Sequence, residues 1–300
     1  MGAHTVTASV TDAGGAVGSS QITLTVNAVP VVTITAPPAG SVITEGDAVT
    51  LTGTATDVED GDLSANLIWN SSLDGALGDG ASLTLSDLSA GVHAITASAA
   101  DSAGASGQGQ VALRVNAVPV VAITEPAHGS QFTERDAVTL RTAASDFEDG
   151  NLSGAVTWVS DRDGALGTGA VVVRSDLSLG AHVITASVTD SDGVGSSDQI
   201  TLTMNPNTPP LVTITSPPDG ASVMADSVTL SGTAIDAEDG DLSASLTWSS
   251  SKDGLLGTGA SLTAANLSFG SHAIEASVTD NKGATVTRTI FVKVKNPKSG

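Results

Sequence analysis

The 300-residue sequence has no cysteine and no tyrosine, three tryptophans, four phenylalanines, and 11 basic residues against 32 acidic ones. Each shortage excludes something. Without cysteine there is no disulfide framework. A formal net charge of −21 leaves no basic face for phosphate contacts, which excludes nucleic acid as a partner. Attachment to an anionic membrane surface fails on the same ground. No run of 18 apolar residues occurs, which excludes membrane insertion by an apolar helix. A disordered acidic tail is excluded in turn, because 40% of the residues are hydrophobic. Seven aromatics are few for one large core, so several small cores of Val, Ile, Leu and Ala fit the composition better.

What the chain does contain is a repeat. Trp69, Trp158 and Trp248 are 89 and 90 residues apart, and His4, His93, His182 and His272 keep the same period. Each unit opens on N-x-x-P, continues through V-T-I-T and V-T-L to D-x-E-D-G-[DN]-L-S, and then reaches the Trp. D-G-x-L-G, L-x-x-G-x-H and an alternating I-x-A-S-x-x-D follow. Complete repeats occupy residues 27–115, 116–204 and 205–300, the third ending in a basic tail; residues 1–26 match only the last two strands of a repeat. A chain that opens on a partial repeat reads as a section of a longer array, so the lack of a targeting signal carries no meaning.

Apolar and polar residues alternate with period two, as in Ile95, Ala97 and Ala99 against Thr96 and Ser98. Gly, Asp, Asn and Pro interrupt the pattern every 8–12 residues, and no window carries a helical stripe. About seven short strands in some 90 residues is the size of an immunoglobulin-type sandwich, with the Trp on the third strand. The expected fold is therefore all-β: tandem immunoglobulin-like β-sandwich domains in a linear rod. At roughly 40 Å per domain, from strand rise, the rod is about 120 Å long. The opening Asn-x-x-Pro-x-Val, the D-x-E-D-G-D-L turn before the Trp and the closing I-T-A-S-V-T-D-x-x-G resemble the PKD-like and cadherin-like branch of bacterial immunoglobulin-type domains. The resemblance covers the whole chain. His93, His182 and His272 stand where PKD domains usually carry Tyr, and the W-D-F-G-D-G signature of those domains is here W-x-S-S-x-D-G-x-L-G.

The acidic turn is the motif with chemistry. It comprises Asp57, Glu59 and Asp60, then Asp146, Glu148 and Asp149, then Asp236, Glu238 and Asp239. In a sandwich this turn shares an end of the domain with the loop between the last two strands. That loop carries Asp101, Asp190 and Asp280, each 44 residues after the first Asp of the turn. The linker brings Asn27, Asn116 and Asn207 to the same end. The third linker is two residues longer, yet each Asn stays seven residues before Ile34, Ile123 or Ile214, in register with the domain that follows. Clustered carboxylates do not all stay ionised without a cation. An all-oxygen set points to calcium, about one Ca2+ per complete repeat; solvated Asp-Gly turns without metal are the bland alternative. PKD-like domains place calcium between linker and loop, and the resemblance implies a metal that stiffens the hinge.

The repeated His begins a strand, where an imidazole N–H can bond back to the preceding turn as a Tyr hydroxyl does in such folds. Arg288, Lys293, Lys295 and Lys298 make the last strand basic, as suits an edge strand. No G-x-S-x-G, H-E-x-x-H or phosphate loop occurs, and prominent residues recur in every unit, so the chain reads as non-catalytic. The expectation is an extracellular or cell-surface bacterial spacer, structural or adhesive, whose partners are neighbouring domains of the same chain. The alternatives are a module that binds a surface glycan or protein, or a fibre subunit that self-associates through the two-strand N-terminal stub.

Overall fold

The computed structural model describes residues 2–296. It opens with a hairpin of β1 (Gly2–Thr11) and β2 (Val17–Val26), a two-stranded antiparallel sheet. The first repeat follows as β3 (Val31–Ala36), β4 (Ser41–Thr44), β5 (Val49–Asp57), β6 (Gly61–Asp62), β7 (Ile68–Ser71), β8 (Gly75–Asp79), β9 (Ser82–Leu85), β10 (Gly91–Ala100) and β11 (Ser106–Asn116). In one sheet β5 lies between β3 on one side and β6 and β9 on the other; the second sheet runs β4-β11-β10-β7-β8. All pairings are antiparallel except β4 with β11. Residues 120–205 and 211–295 repeat both sheets strand for strand. The chain is thus a tandem set of immunoglobulin-like β-sandwiches. Among the described residues no helix is long and apolar enough to cross a membrane.

Alternation decides which face is buried. Along β5, Val49, Leu51, Ala55 and Asp57 point inward; along β10, His93, Ile95, Ala97 and Ala99 do. Each repeat has its own core of small aliphatic residues around one Trp. There are nine strands per repeat rather than about seven. Pro37 and Pro38 offer no N–H to a ladder, so the first strand is divided between the sheets as β3 and β4. The acidic turn adds the two-residue β6.

The three tryptophans are fully buried, and each satisfies its one polar atom. The Nε1–H groups of Trp69, Trp158 and Trp248 donate to the carbonyls of Gly80, Gly169 and Gly259 at 2.8, 2.9 and 2.8 Å. The repeated His is buried as well. His93 Nε2 lies 2.7 Å from the Ser89 carbonyl, so it carries the proton, and Nδ1 accepts the Ser71 hydroxyl at 2.7 Å. Ser71 Oγ in turn accepts the N–H groups of Leu73 and Asp74. The bond back to the preceding turn is the one expected of an imidazole in the Tyr position; the serine beneath it is an addition. Ser160 with His182 and Ser250 with His272 repeat the arrangement.

The basic last strand is not an edge. Residues Thr285–Lys295 pair with Gly270–Thr279 on one side and, around Lys293 and Lys295, with Ser222–Met224 on the other. The parallel strand created by the split at Pro217 and Pro218 covers it. Lys298 lies outside the described residues.

Replacing Trp158 with Ala lowers the unfolding free energy of its repeat by about 3–5 kcal/mol in denaturant titration, with the other two repeats unchanged. Replacing Ser160 with Ala strands two N–H groups and an imidazole nitrogen, and costs about 1–3 kcal/mol by the same measurement.

Candidate functional site

The acidic turn begins where the long central strand ends. Asp57 is the last residue of β5 and is buried. Its Oδ1 accepts the N–H groups of Glu59 and Asp60 at 2.9 and 3.0 Å, folding the turn over itself. Asp146 and Asp236 do the same for their turns. The second oxygen, Oδ2, is buried in all three and has no hydrogen-bond partner. The exposures of these residues are 8%, 7% and 4%. A buried carboxylate oxygen without a partner is costly, and the same orphan at three equivalent positions is a property of the repeat.

The linker and the last loop meet beside this turn. Asn27 Nδ2 donates to Asp101 Oδ2 at 2.6 Å, Asn116 to Asp190 at 2.7 Å and Asn207 to Asp280 at 2.7 Å. The longer third linker therefore keeps its contact, and Asn207, not Asn205, makes it. The other oxygen of each Asp caps its own loop, as when Asp101 Oδ1 accepts the Ala105 N–H at 2.8 Å. Glu59 accepts the Ala28 N–H at 3.1 Å and Glu148 that of Ala117 at 3.2 Å, so in two repeats the turn also grips the linker backbone.

Asp60, Asp149 and Asp239 serve a different purpose. Both oxygens of Asp60 hold Ser102, one its N–H and one its hydroxyl, and Asp149 holds Ser191 likewise. Asp239 takes the backbone and side-chain N–H groups of Asn281. These aspartates lock turn to loop. Among the described residues no three carboxylates or imidazoles form a metal-binding group by themselves. The Asn amide faces the Asp101-type oxygen with its donor end. This amide holds the Asp101 carboxyl below the usual carboxylate value against the opposing effect of desolvation, and Asn207 does so for Asp280.

Ion pairs that do not repeat join neighbouring sandwiches. Arg114, near the end of the first repeat, binds Asp192 in the last loop of the second through both terminal nitrogens, at 2.8 and 2.6 Å. At the next junction the polarity is reversed: Lys282, in the last loop of the third repeat, pairs with Asp136 of the second, and Arg135 donates to the Lys282 carbonyl at 2.8 Å. No sequence pattern signalled these pairs, because Thr203 and Ala103 stand at the positions equivalent to Arg114 and Asp192.

No protein-family model matches the chain, and no curated protein does. Among solved structures it is similar to the fibronectin(III)-like modules of Clostridium thermocellum CbhA at 18% identity (59% of this chain, 95% of that one, TM-score 0.28). It is also similar to extracellular cadherin domains 1–5 of protocadherin gamma B2 at 14% identity (99% and 66%, TM-score 0.38). The eight N-terminal Ig domains of Down syndrome cell adhesion molecule are a third case, at 14% identity (97% and 43%, TM-score 0.41).

The Asn–Asp clamp has a defined pH dependence. A carboxyl held low in the folded state contributes stability that is full above its unfolded value near 3.9 and is lost as pH falls through the folded value. Asn207→Ala therefore melts below the parent protein at pH 7, and the gap narrows below about pH 4 and closes once Asp280 is protonated; calorimetric melting across this range measures it.

Proposed function

We propose that the chain is a non-catalytic extracellular spacer of immunoglobulin-like repeats, part of a bacterial surface or secreted protein, in which calcium stiffens each domain junction. The observation that carries the proposal is the buried, unpartnered Oδ2 of Asp57, Asp146 and Asp236. It stands at the end of the domain where Asn27 and Asp101, or their counterparts, tie the linker to the last loop.

The donors are of the kind a hard cation takes, and binding would have to draw them together, since among the described residues the carboxylates are not gathered as a group. The set offers only oxygen: the orphan Oδ2, the Asp101-type Oδ2, the Glu59-type carboxylate and, after the amide turns over, the Asn Oδ1. Asp57, Glu59, Asp101 and Asn27 would hold the ion in the first repeat; Asp146, Glu148, Asp190 and Asn116 in the second; Asp236, Glu238, Asp280 and Asn207 in the third. Asp60, Asp149 and Asp239 brace the loop. A bound cation joins three segments, one of them the linker, so it restricts rotation between neighbours. Binding of a glycan has less behind it, since all three tryptophans are buried and the exposed aromatics, Phe147, Phe269 and Phe291, stand at positions that do not recur between repeats.

Calcium at ten times a dissociation constant of about 10⁻⁴–10⁻³ M adds about 1.4 kcal/mol per site. Calorimetric melting temperatures should rise with millimolar calcium, and small-angle scattering should show a greater maximum dimension with calcium than with chelator. The Asp57→Asn, Asp146→Asn and Asp236→Asn triple variant keeps the turn-capping oxygen. Without calcium it exchanges a buried unpaired charge for a buried unpaired amide N–H2, and its melting temperature no longer responds to calcium. A parent protein with no shift at millimolar calcium would falsify the calcium reading.

A further inference from the structure

The hairpin of residues 2–26 has the register of the three hairpins that close the sandwiches. Gly2 faces Val26 and Thr11 faces Val17, as Gly91 faces Val115 and Ala100 faces Ser106. Its inward-type positions are therefore His4, Val6, Ala8, Val10, Ile22, Leu24 and Val26. The equivalent residues in the first sandwich are buried, and here they are exposed: Ile95 is 0% exposed and Val6 48%, Leu113 0% and Leu24 51%.

Two further details are out of place on a free hairpin. In the first sandwich both outer edges of the pair are hydrogen-bonded, β10 to β7 and β11 to β4, whereas β1 and β2 pair only with each other. His4 stands at the position of His93, whose imidazole is held by a serine hydroxyl and a carbonyl, yet His4 is exposed and its imidazole makes no hydrogen bond among the described residues.

We propose that this hairpin is a docking surface for an open repeat: a β segment supplied from outside residues 1–300 with the strand order of residues 31–85, a single Trp followed two residues later by Ser, and no closing hairpin of its own. The chain itself shows this occupant three times, on three sister hairpins. Such a segment pairs both free edges, covers the apolar face and gives His4 its hydroxyl. A second copy of the hairpin does less. Ten residues at about 3.4 Å and two strands about 4.8 Å apart give a face of about 330 Å², so face-to-face pairing buries about 650 Å², below the roughly 1,200 Å² of stable interfaces, and leaves the edges open. Charge does not oppose docking, because Asp12 is the single acid among residues 1–26.

The probe is a polypeptide of residues 27–90, added to the full chain. The expected result is a one-to-one complex in sedimentation velocity. Amide exchange at residues 3–26 slows to that of residues 92–116, and the His4 imidazole resonance moves to the position of the buried histidines. Val6→Asp with Leu24→Asp, both exposed in the free chain, abolishes all three changes. Absence of a complex, or a complex indifferent to these substitutions, overturns the proposal. So does dimerisation of the chain alone that Val6→Asp with Leu24→Asp removes, which would make a second copy the occupant. Because the isolated probe can aggregate, a second arm joins residues 27–90 covalently ahead of Gly2; unprotected amides at residues 3–26 in that chain also overturn the proposal.

Discussion

Each sandwich depends on its closing hairpin. The pair β10–β11 supplies the buried His, about half of the aliphatic core and the only parallel contact in the sheet, and it is hydrogen-bonded along both outer edges. Its loop carries Asp101, and its last residue, Asn116, already belongs to the next junction. One element thus closes a domain, orders the end that receives the linker before it, and starts the linker after it. Such an element explains how units of about 90 residues fold without disulfides, and how a repeat can be extended without redesign: the end of one unit is the anchor of the next.

A chain without tyrosine or cysteine still has to fasten its sheets with something directional, and it uses small polar groups that are nearly all satisfied. The imidazole bridges a carbonyl and a hydroxyl, the hydroxyl collects two turn N–H groups, and Asp74 ties the D-G turn to Ser89 through both carboxylate oxygens. These bonds recur with the same partners in the other repeats. Against that background the bare Oδ2 of Asp57, Asp146 and Asp236 is conspicuous. The aspartates around it cap the last loop, hold the linker Asn, or lock turn to loop.

Much of this was legible in the residues. The 89- and 90-residue period, the strand alternation and one Trp per unit led to the sandwich, and the His position led to its bond with the preceding turn. The constant seven-residue spacing from Asn207 to Ile214 picked the Asn that meets Asp280. Other features were hidden for physical reasons. Ser71, Ser160 and Ser250 were visible as W-x-S, but in a chain this rich in serine nothing in one sequence distinguishes a buried hydroxyl from a surface one. The split of the first strand depends on which sheet each half reaches after the prolines, and that also turned the basic last strand from an edge into an interior strand. The distinct role of Asp60, facing Ser102, could not be told from that of its neighbour Glu59.

The junctions divide their work between what repeats and what does not. The ion pairs of Arg114 with Asp192 and Lys282 with Asp136 differ in polarity and in the elements they join, so they distinguish one junction from the next. They hold a junction only weakly. Arg114 and Asp192 are about a third exposed, at 31% and 29%, and pairs so placed contribute about 1 kcal/mol or less. They also act at one point and leave rotation about the linker open. The Asn–Asp bond and the Glu grip on the linker N–H act on the linker itself, beside buried groups, where a fixed geometry is kept. The repeated end of the domain therefore restrains the linker, and the unrepeated pairs differ from junction to junction. An array built in this way can vary which neighbours meet while each linker Asn is held by the same aspartate.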